Sequence, residues 1–156
     1  MITIKIKSES GKYPVTIGYN IIHHLPEVFN KKSFPKNVFL IIDSKVKKIY
    51  GKTIEDTITP FSDTFLTYTL HVSENGKSLN AASKICKSLL ENSFGRDTTI
   101  ISVGGGITGD IAGFAASIYL RGVPLIHIPT TMISIADSSI GGKTGVNFYK
   151  TKNIIG

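Results

Sequence analysis

The sequence predicts an α/β layered domain with a largely parallel sheet. Three observations carry that prediction. Short apolar runs that read as buried strands alternate with stretches of helical periodicity, the connections between them are mostly short, and the run at 99–103 empties into a triple glycine followed at once by a helix. A chain of 156 residues is long enough for one domain with a real core, since chains of this size bury roughly 70% of their unfolded surface.

Each element has its own signal. Residues 2–7 and 14–18 alternate apolar with polar and are rich in β-branched side chains, so they read as strands, with Ser10-Gly11-Lys12 turning between them. Asn20 is expected to cap a short helix through about Val28, and Pro35 closes the loop that follows. Val38-Phe39-Leu40-Ile41-Ile42 is a continuous apolar run, the mark of a strand buried on both faces, with Asp43 at its carboxyl end. A helix over 46–54 and a strand over 65–72 follow. Ser78 then caps a helix whose apolar positions Leu79, Ala82, Ile85, Cys86, Leu89 and Leu90 recur at helical spacing. Residues 98–103 form a further buried strand, 107–119 a helix, and 123–128 one more strand before Pro129.

Composition excludes several classes. Hydrophobic residues make up 41% of the chain and no polar tract dominates, which excludes disorder. The formal charge is +7, but only Arg96 and Arg121 are arginine, the lysines are scattered, and aromatics do not interleave with them as a nucleic-acid stacking platform requires. An anionic small molecule is the partner this charge suits. Cys86 stands alone, so no intrachain disulfide forms and a reducing compartment is the expected home; on the buried face of its helix it reads as a structural thiol. The longest apolar stretches are too short to span a bilayer, and Met1 leads directly into a strand pattern with no secretory signal. A soluble cytoplasmic domain is the expectation, with no membrane and no nucleic acid among its partners.

The glycine-rich turn is the strongest chemical signal. Residues Gly104-Gly105-Gly106-Ile107-Thr108-Gly109-Asp110 join a buried strand to a helix, and Gly104, Gly106 and Gly109 satisfy G-x-G-x-x-G. Missing Cβ atoms let backbone approach a ligand closely, and a new helix offers free N–H groups to a phosphate. The ordinary Rossmann fingerprint also requires an acid about 20 residues on, at the end of the next strand, and Ile128-Pro129-Thr130-Thr131 contains none. Asp43, ending an upstream strand, is the alternative ribose-binding acid, although a helix cap or turn former is an equally simple reading of it alone. In an open α/β sheet, ligands collect beyond the carboxyl ends of the strands, where Asp43, the glycine turn and Thr130-Thr131 would meet. There is no Walker motif, because Asp137 stands where Gly141-Gly142-Lys143-Thr144 would need a preceding glycine. No metal-ligand spacing occurs, and His23-His24 reads as part of a solvated helix face.

From Gly104 onward the pattern becomes distinctive. The glycine turn is followed by Ile111-Ala112-Gly113-Phe114, Tyr119-Leu120-Arg121-Gly122 and Ile128-Pro129-Thr130-Thr131. Then come Asp137-Ser138-Ser139-Ile140-Gly141-Gly142-Lys143-Thr144-Gly145-Val146-Asn147 and Lys152-Asn153-Ile154-Ile155-Gly156. Together these closely resemble the 3-dehydroquinate synthase family of sugar-phosphate cyclases. The likeness covers essentially the whole chain as that family's N-terminal domain, with Asp43 and the Glu74…Lys77 pair fitting its layout.

The resemblance implies a Rossmann-like NAD-binding domain over residues 1–156 and a multistep lyase reaction. 3-Deoxy-D-arabino-heptulosonate 7-phosphate is oxidised by NAD, loses phosphate, is reduced again and closes to 3-dehydroquinate, a step of the shikimate pathway toward aromatic amino acids. By position, Asp43 would hold the adenosine ribose, with Glu74 and Lys77 contributing to the same nucleotide. Gly105, Gly106, Ile107, Gly109 and Asp110 would line the pyrophosphate and nicotinamide ribose, while Thr130 and Thr131 would hydrogen-bond the cofactor. Asp137 and Lys143 would sit where nicotinamide meets substrate, Lys143 also touching the cofactor. Lys152 would reach the cofactor and Asn153 the substrate. Arg121 would contact the substrate phosphate, usually from the neighbouring subunit of a homodimer. A second, α-helical domain would carry the ligands of a divalent metal, zinc or cobalt; it is absent here, and the chain alone is expected to lack turnover. Two features depart from the family pattern: Thr108 replaces a commoner aliphatic residue, and Phe148-Tyr149-Lys150-Thr151 replaces a His-Pro-containing stretch. Another sugar-phosphate cyclase, a metal-dependent polyol dehydrogenase and a non-catalytic NAD-binding fragment stay open as alternatives.

Overall fold

The computed structural model describes residues 1–8, 11–32 and 34–156. Its centre is a four-stranded, all-parallel sheet in the order β4-β3-β5-β6, formed by β3 (Asn37–Asp43), β4 (Thr64–Leu70), β5 (Thr98–Gly104) and β6 (Leu125–Pro129). An antiparallel hairpin of β1 (Ile2–Ser8) and β2 (Gly11–Ile17) precedes it, and a second of β7 (Val146–Phe148) and β8 (Thr151–Ile155) follows. The helices are α1 (Leu25–Lys32), α2 (Ser44–Ile58), α3 (Leu79–Glu91) and α4 (Gly106–Ile118).

Strand side chains alternate between two faces, and each face has its own core. Phe39, Ile41 and Ile100 point toward α3 and α4, where they meet Ala82, Ile85, Leu89, Ile111 and Ala115. Val38, Leu40, Ile42, Ile101 and Val103 point the other way, onto Phe29 of α1 and Ile54 and Ile58 of α2. Double-sided burial explains why residues 38–42 are apolar without interruption. The buried threonines at the start of β5 are both satisfied by backbone carbonyls: Thr98 Oγ1 donates to the nearby Gly95 O and Thr99 Oγ1 to the distant Pro35 O, both at 2.7 Å.

Most predicted elements appear, with shifted ends. The helix over 46–54 runs from Ser44 to Ile58, and Ser78 Oγ accepts the Ala81 amide at the start of α3. Along α3, Ala82, Ile85 and Leu89 are buried but Leu90 is exposed. Asn20 does not cap as expected. It lies in the left-handed region at φ 51° with no side-chain cap bond, and it leads into a 3₁₀ turn (Ile21–His24) before α1, which runs on to Lys32. That turn carries exposed His23 and His24. Of the predicted turn Ser10-Gly11-Lys12, Ser10 lies outside the described residues, and Gly11 and Lys12 already belong to β2. Cys86 is half-buried and burial pushes its thiol up, the opposite of what a nucleophile needs. No helix among the described residues is long and apolar enough to cross a membrane.

The strand order fixes where a ligand can sit. From β3 the chain crosses outward to β4, then returns to place β5 on the other side of β3. The connections therefore leave β3 and β5 in opposite directions and open a crevice beyond their carboxyl ends, at Asp43 and Gly104.

Candidate functional site

A cleft of about 470 Å³ occupies that crevice. Asp43, Lys45, Val46, Ile49 and Tyr50 line it from β3 and α2, Gly105 to Thr108 from the start of α4, and Thr130 and Thr131 from the end of β6, with Val72 beside them. Asp43 is only 5% exposed and caps α2, its Oδ1 accepting the amides of Lys45 at 2.7 Å and Val46 at 3.2 Å. The cap pins the carboxylate at the rim of the cleft.

The glycine turn is shaped by close contacts. Gly105 precedes α4 with φ −80° and ψ −173°, and no side chain caps the helix, so its first amides are presented without a competing side-chain acceptor. A Cβ at Gly104 would come within 2.5 Å of Thr108 Oγ1, and one at Gly105 within 3.2 Å of Thr131 Cγ2. Small size, with ordinary negative φ at Gly105, is what the turn requires. Thr130 N donates to Gly104 O at 2.9 Å, drawing the end of β6 against it. Thr131 and Ser134 then cap one another, Thr131 N donating to Ser134 Oγ at 3.1 Å and Ser134 N to Thr131 Oγ1 at 3.2 Å.

Gly109 faces elsewhere. It lines a separate cavity of about 10 Å³, room for about one water, together with His127, Ser102 and Ser138. Burial pushes the His127 imidazole below its ordinary value, while the Asp110 carboxylate pulls the other way. Thr108 Oγ1 is the one buried side-chain N or O atom among the described residues with no hydrogen-bond partner.

Glu74 and Lys77 do not line the large cleft. Lys77 is buried and donates to Asp110 of α4 and to Asn153 of β8, and Glu74 pairs with Lys152 at 3.3 Å. These five predicted residues form one polar cluster where the β7–β8 hairpin docks. Asp137 is exposed in a one-turn π-helix (Ser134–Ser138), a form frequent at functional sites. Lys143 is exposed on the loop after Gly141 and Gly142, whose φ values of 94° and 73° are left-handed. Arg121 is exposed beyond the carboxyl end of α4, the full helix away from the glycine turn, about 20 Å for thirteen residues. The structure does not bring it to the cleft.

Sequence reasoning assigned no role to His127, Tyr50 or Asn147. His127 stands between Ile126 and Ile128 in β6 and pairs with Ser102, so a polar residue at an inward strand position was the available signal. Asn147 has no local signal, because its partners, Lys77 O and Glu74 O, are distant in the chain.

Comparison with known proteins gives the family. Residues 67–156 match the 3-dehydroquinate synthase N-terminal family model. The 3-dehydroquinate synthases of Alkaliphilus oremlandii and Pelagibacter ubique are each 40% identical to this chain, over 156 and 159 residues; each match covers all of the chain and 42% of the relative. The chain therefore spans well under half the length of these relatives. A crystal structure of 2-deoxy-scyllo-inosose synthase complexed with carbaglucose-6-phosphate, NAD+ and Co2+ superposes on 99% of this chain and 42% of its own, at TM-score 0.90 and 25% identity. The 2-epi-5-epi-valiolone synthase of Streptomyces hygroscopicus, with NAD+ and Zn2+ bound, covers 99% of this chain and 41% of its own at TM-score 0.81 and 27% identity. With its parallel sheet, its crevice between β3 and β5 and an uncapped helix at the glycine turn, the chain belongs to the 3-dehydroquinate synthase family.

Proposed function

We propose that residues 1–156 form the NAD-binding domain of a 3-dehydroquinate synthase, which converts 3-deoxy-D-arabino-heptulosonate 7-phosphate to 3-dehydroquinate and phosphate. The carrying observation is the single cleft that gathers Asp43, Gly105, Gly106, Ile107, Thr130 and Thr131 from three strand ends. Identity of 40% to 3-dehydroquinate synthases, against 25% to 2-deoxy-scyllo-inosose synthase, favours this substrate over those of other cyclases. In the cell the reading is of a cytoplasmic enzyme working as a homodimer on a sugar phosphate.

The residues present fit the dinucleotide. The Asp43 carboxylate would accept hydrogen bonds from the adenosine ribose, and the amides at Gly105 to Ile107 would receive the pyrophosphate, close to where a Cβ on Gly105 would meet Thr131. Thr130 and Thr131 close the far wall. NAD held there would supply reversible hydride-transfer chemistry and would be recycled rather than consumed. Asp110 would line the nicotinamide ribose and Lys152 would reach the cofactor, while Lys143 and Asp137 would sit where nicotinamide meets substrate, Lys143 supplying positive charge near developing negative charge. Asn153 hydrogen-bonds the substrate. Arg121, remote from its own cleft, serves the substrate phosphate of a neighbouring subunit as a planar anion clamp.

The residues present do not fit the divalent metal. Among the described residues no three His, Cys, Asp or Glu side chains converge to hold one. The isolated chain is therefore expected to release no phosphate. Isothermal titration with NAD, paired with a phosphate-release assay on the heptulosonate phosphate, tests the reading. Saturable binding of one NAD per chain without turnover is the expected outcome; failure to bind NAD overturns it.

A further inference from the structure

Lys77 is the one buried lysine among the described residues, at 6% exposure. Its backbone is fixed from both sides. Lys77 N donates to Glu74 O at 3.4 Å, and the next residue, Ser78, caps α3. Its ammonium donates to Asp110 Oδ2 on α4 and to Asn153 Oδ1 on β8, the latter at 2.5 Å. An ammonium removed from water needs a carboxylate and further acceptors for its N–H bonds, and these two side chains take up two of its three.

The acceptors come from elements that no strand pairing connects. Asp110 lies in the second turn of the helix that begins at Gly106, whereas Asn153 belongs to a two-stranded sheet separate from the main one. The rest of the docking runs through the same short segment. Asn147 N donates to Lys77 O at 2.8 Å, Asn147 Nδ2 to Glu74 O at 3.1 Å, and Asn147 Oδ1 accepts Asn153 N at 3.1 Å. Asn153 is held at φ 51°, a left-handed conformation that Asn tolerates better than most residues. The Glu74–Lys152 pair is largely exposed and adds little.

We infer that Lys77 is a positioning residue: its ammonium, clamped between Asp110 and Asn153, fixes the β7–β8 hairpin against α4 and sets Asp110 for the nicotinamide half of the cofactor and Asn153 for the substrate. The ligand part of this statement rests on the cofactor reading above; the clamp does not.

Two measurements separate the parts. Amide hydrogen exchange without ligand, on wild type, Lys77→Met and Lys77→Arg, reads the clamp. In Lys77→Met the amides of β7 and β8 exchange at least about tenfold faster, those of β3 and β5 are unchanged, and Lys77→Arg restores protection. Unchanged hairpin protection in Lys77→Met overturns the clamp. If the unpaired Asp110 carboxylate prevents that variant from folding, the double variant Lys77→Met with Asp110→Asn removes both charges and carries the same comparison. Calorimetry with NAD and with ADP as separate probes reads the ligand part. Lys77→Met weakens NAD about tenfold and leaves ADP within about twofold, because ADP lacks the nicotinamide half. Equal losses for both probes, or no loss for NAD, overturn the positioning role. A wild-type chain that binds neither probe overturns the cofactor reading and the ligand part with it, while the exchange result still decides the clamp.

Discussion

Thr108 occupies the space into which a side chain at position 104 would project, its Oγ1 lying 2.5 Å from the place of a Cβ on Gly104. Thr108 is β-branched and buried on α4, so it cannot swing aside cheaply. Gly104→Ala is therefore expected to destabilise the fold by about 1–3 kcal/mol through overpacking. Urea unfolding checks this, and Thr108→Ala in the same chain should recover much of the loss.

The Thr108 hydroxyl itself is buried without a partner. Thr108→Val keeps the shape and removes the orphaned polar group, so a gain of about 1 kcal/mol is expected from the relieved desolvation. A shift of the urea midpoint to higher concentration at unchanged slope is the signature.

Asp43 caps α2 and, on the proposed reading, also holds a ribose. Asparagine caps helices about as well as aspartate, so Asp43→Asn should change stability by less than about 0.5 kcal/mol. Without the charged acceptor, NAD affinity should fall by about tenfold or more. Melting curves and calorimetry on one preparation separate the two roles.

His127 makes stability depend on pH. Burial lowers its folded-state pKa below the unfolded value of 6.5, so under acid the unfolded chain binds its proton first. Stability is then full above about pH 6.5 and falls as pH drops below it, until the folded imidazole also protonates. His127→Gln should flatten this limb in unfolding measured at about pH 7.5 and about pH 5.5.

Ligand and metal should act differently on the melting temperature. NAD at about a hundred times its dissociation constant adds about 2.7 kcal/mol, a rise of about 5–10 °C for a chain this size. Zinc or cobalt salts should leave the melting temperature within about 1 °C, since no cluster of three ligating side chains exists among the described residues. A calorimetric scan with each addition checks both.

What was legible in the sequence was local or periodic. The run at 38–42 announced a strand buried on both faces because every residue in it is apolar, and Ser78 announced α3 because its hydroxyl caps three residues on. The crevice was readable too, since Asp43 and the glycine turn end strands whose burial pattern is plain. Asn20 misled because a capping residue type was present while the backbone used its tolerance for left-handed φ instead. The β7–β8 hairpin was invisible for a different reason: its hydrogen-bond partners on the body of the domain, Lys77 and Glu74, are far away in the chain. The same distance hid the partners of Lys77, whose position alone could not separate a contact to a nucleotide from a bridge between two elements.

Strands β3 and β5 are neighbours in the sheet although β4 and α3 intervene in sequence, and the cleft exists only where their ends meet. A peptide that carries only one of these strands cannot reproduce it. A refolding chain must complete its slow, long-range parallel pairing before the rim is assembled. A small molecule that occupies the crevice would serve as a clock for that last event, silent during collapse and reporting only when the sheet has closed.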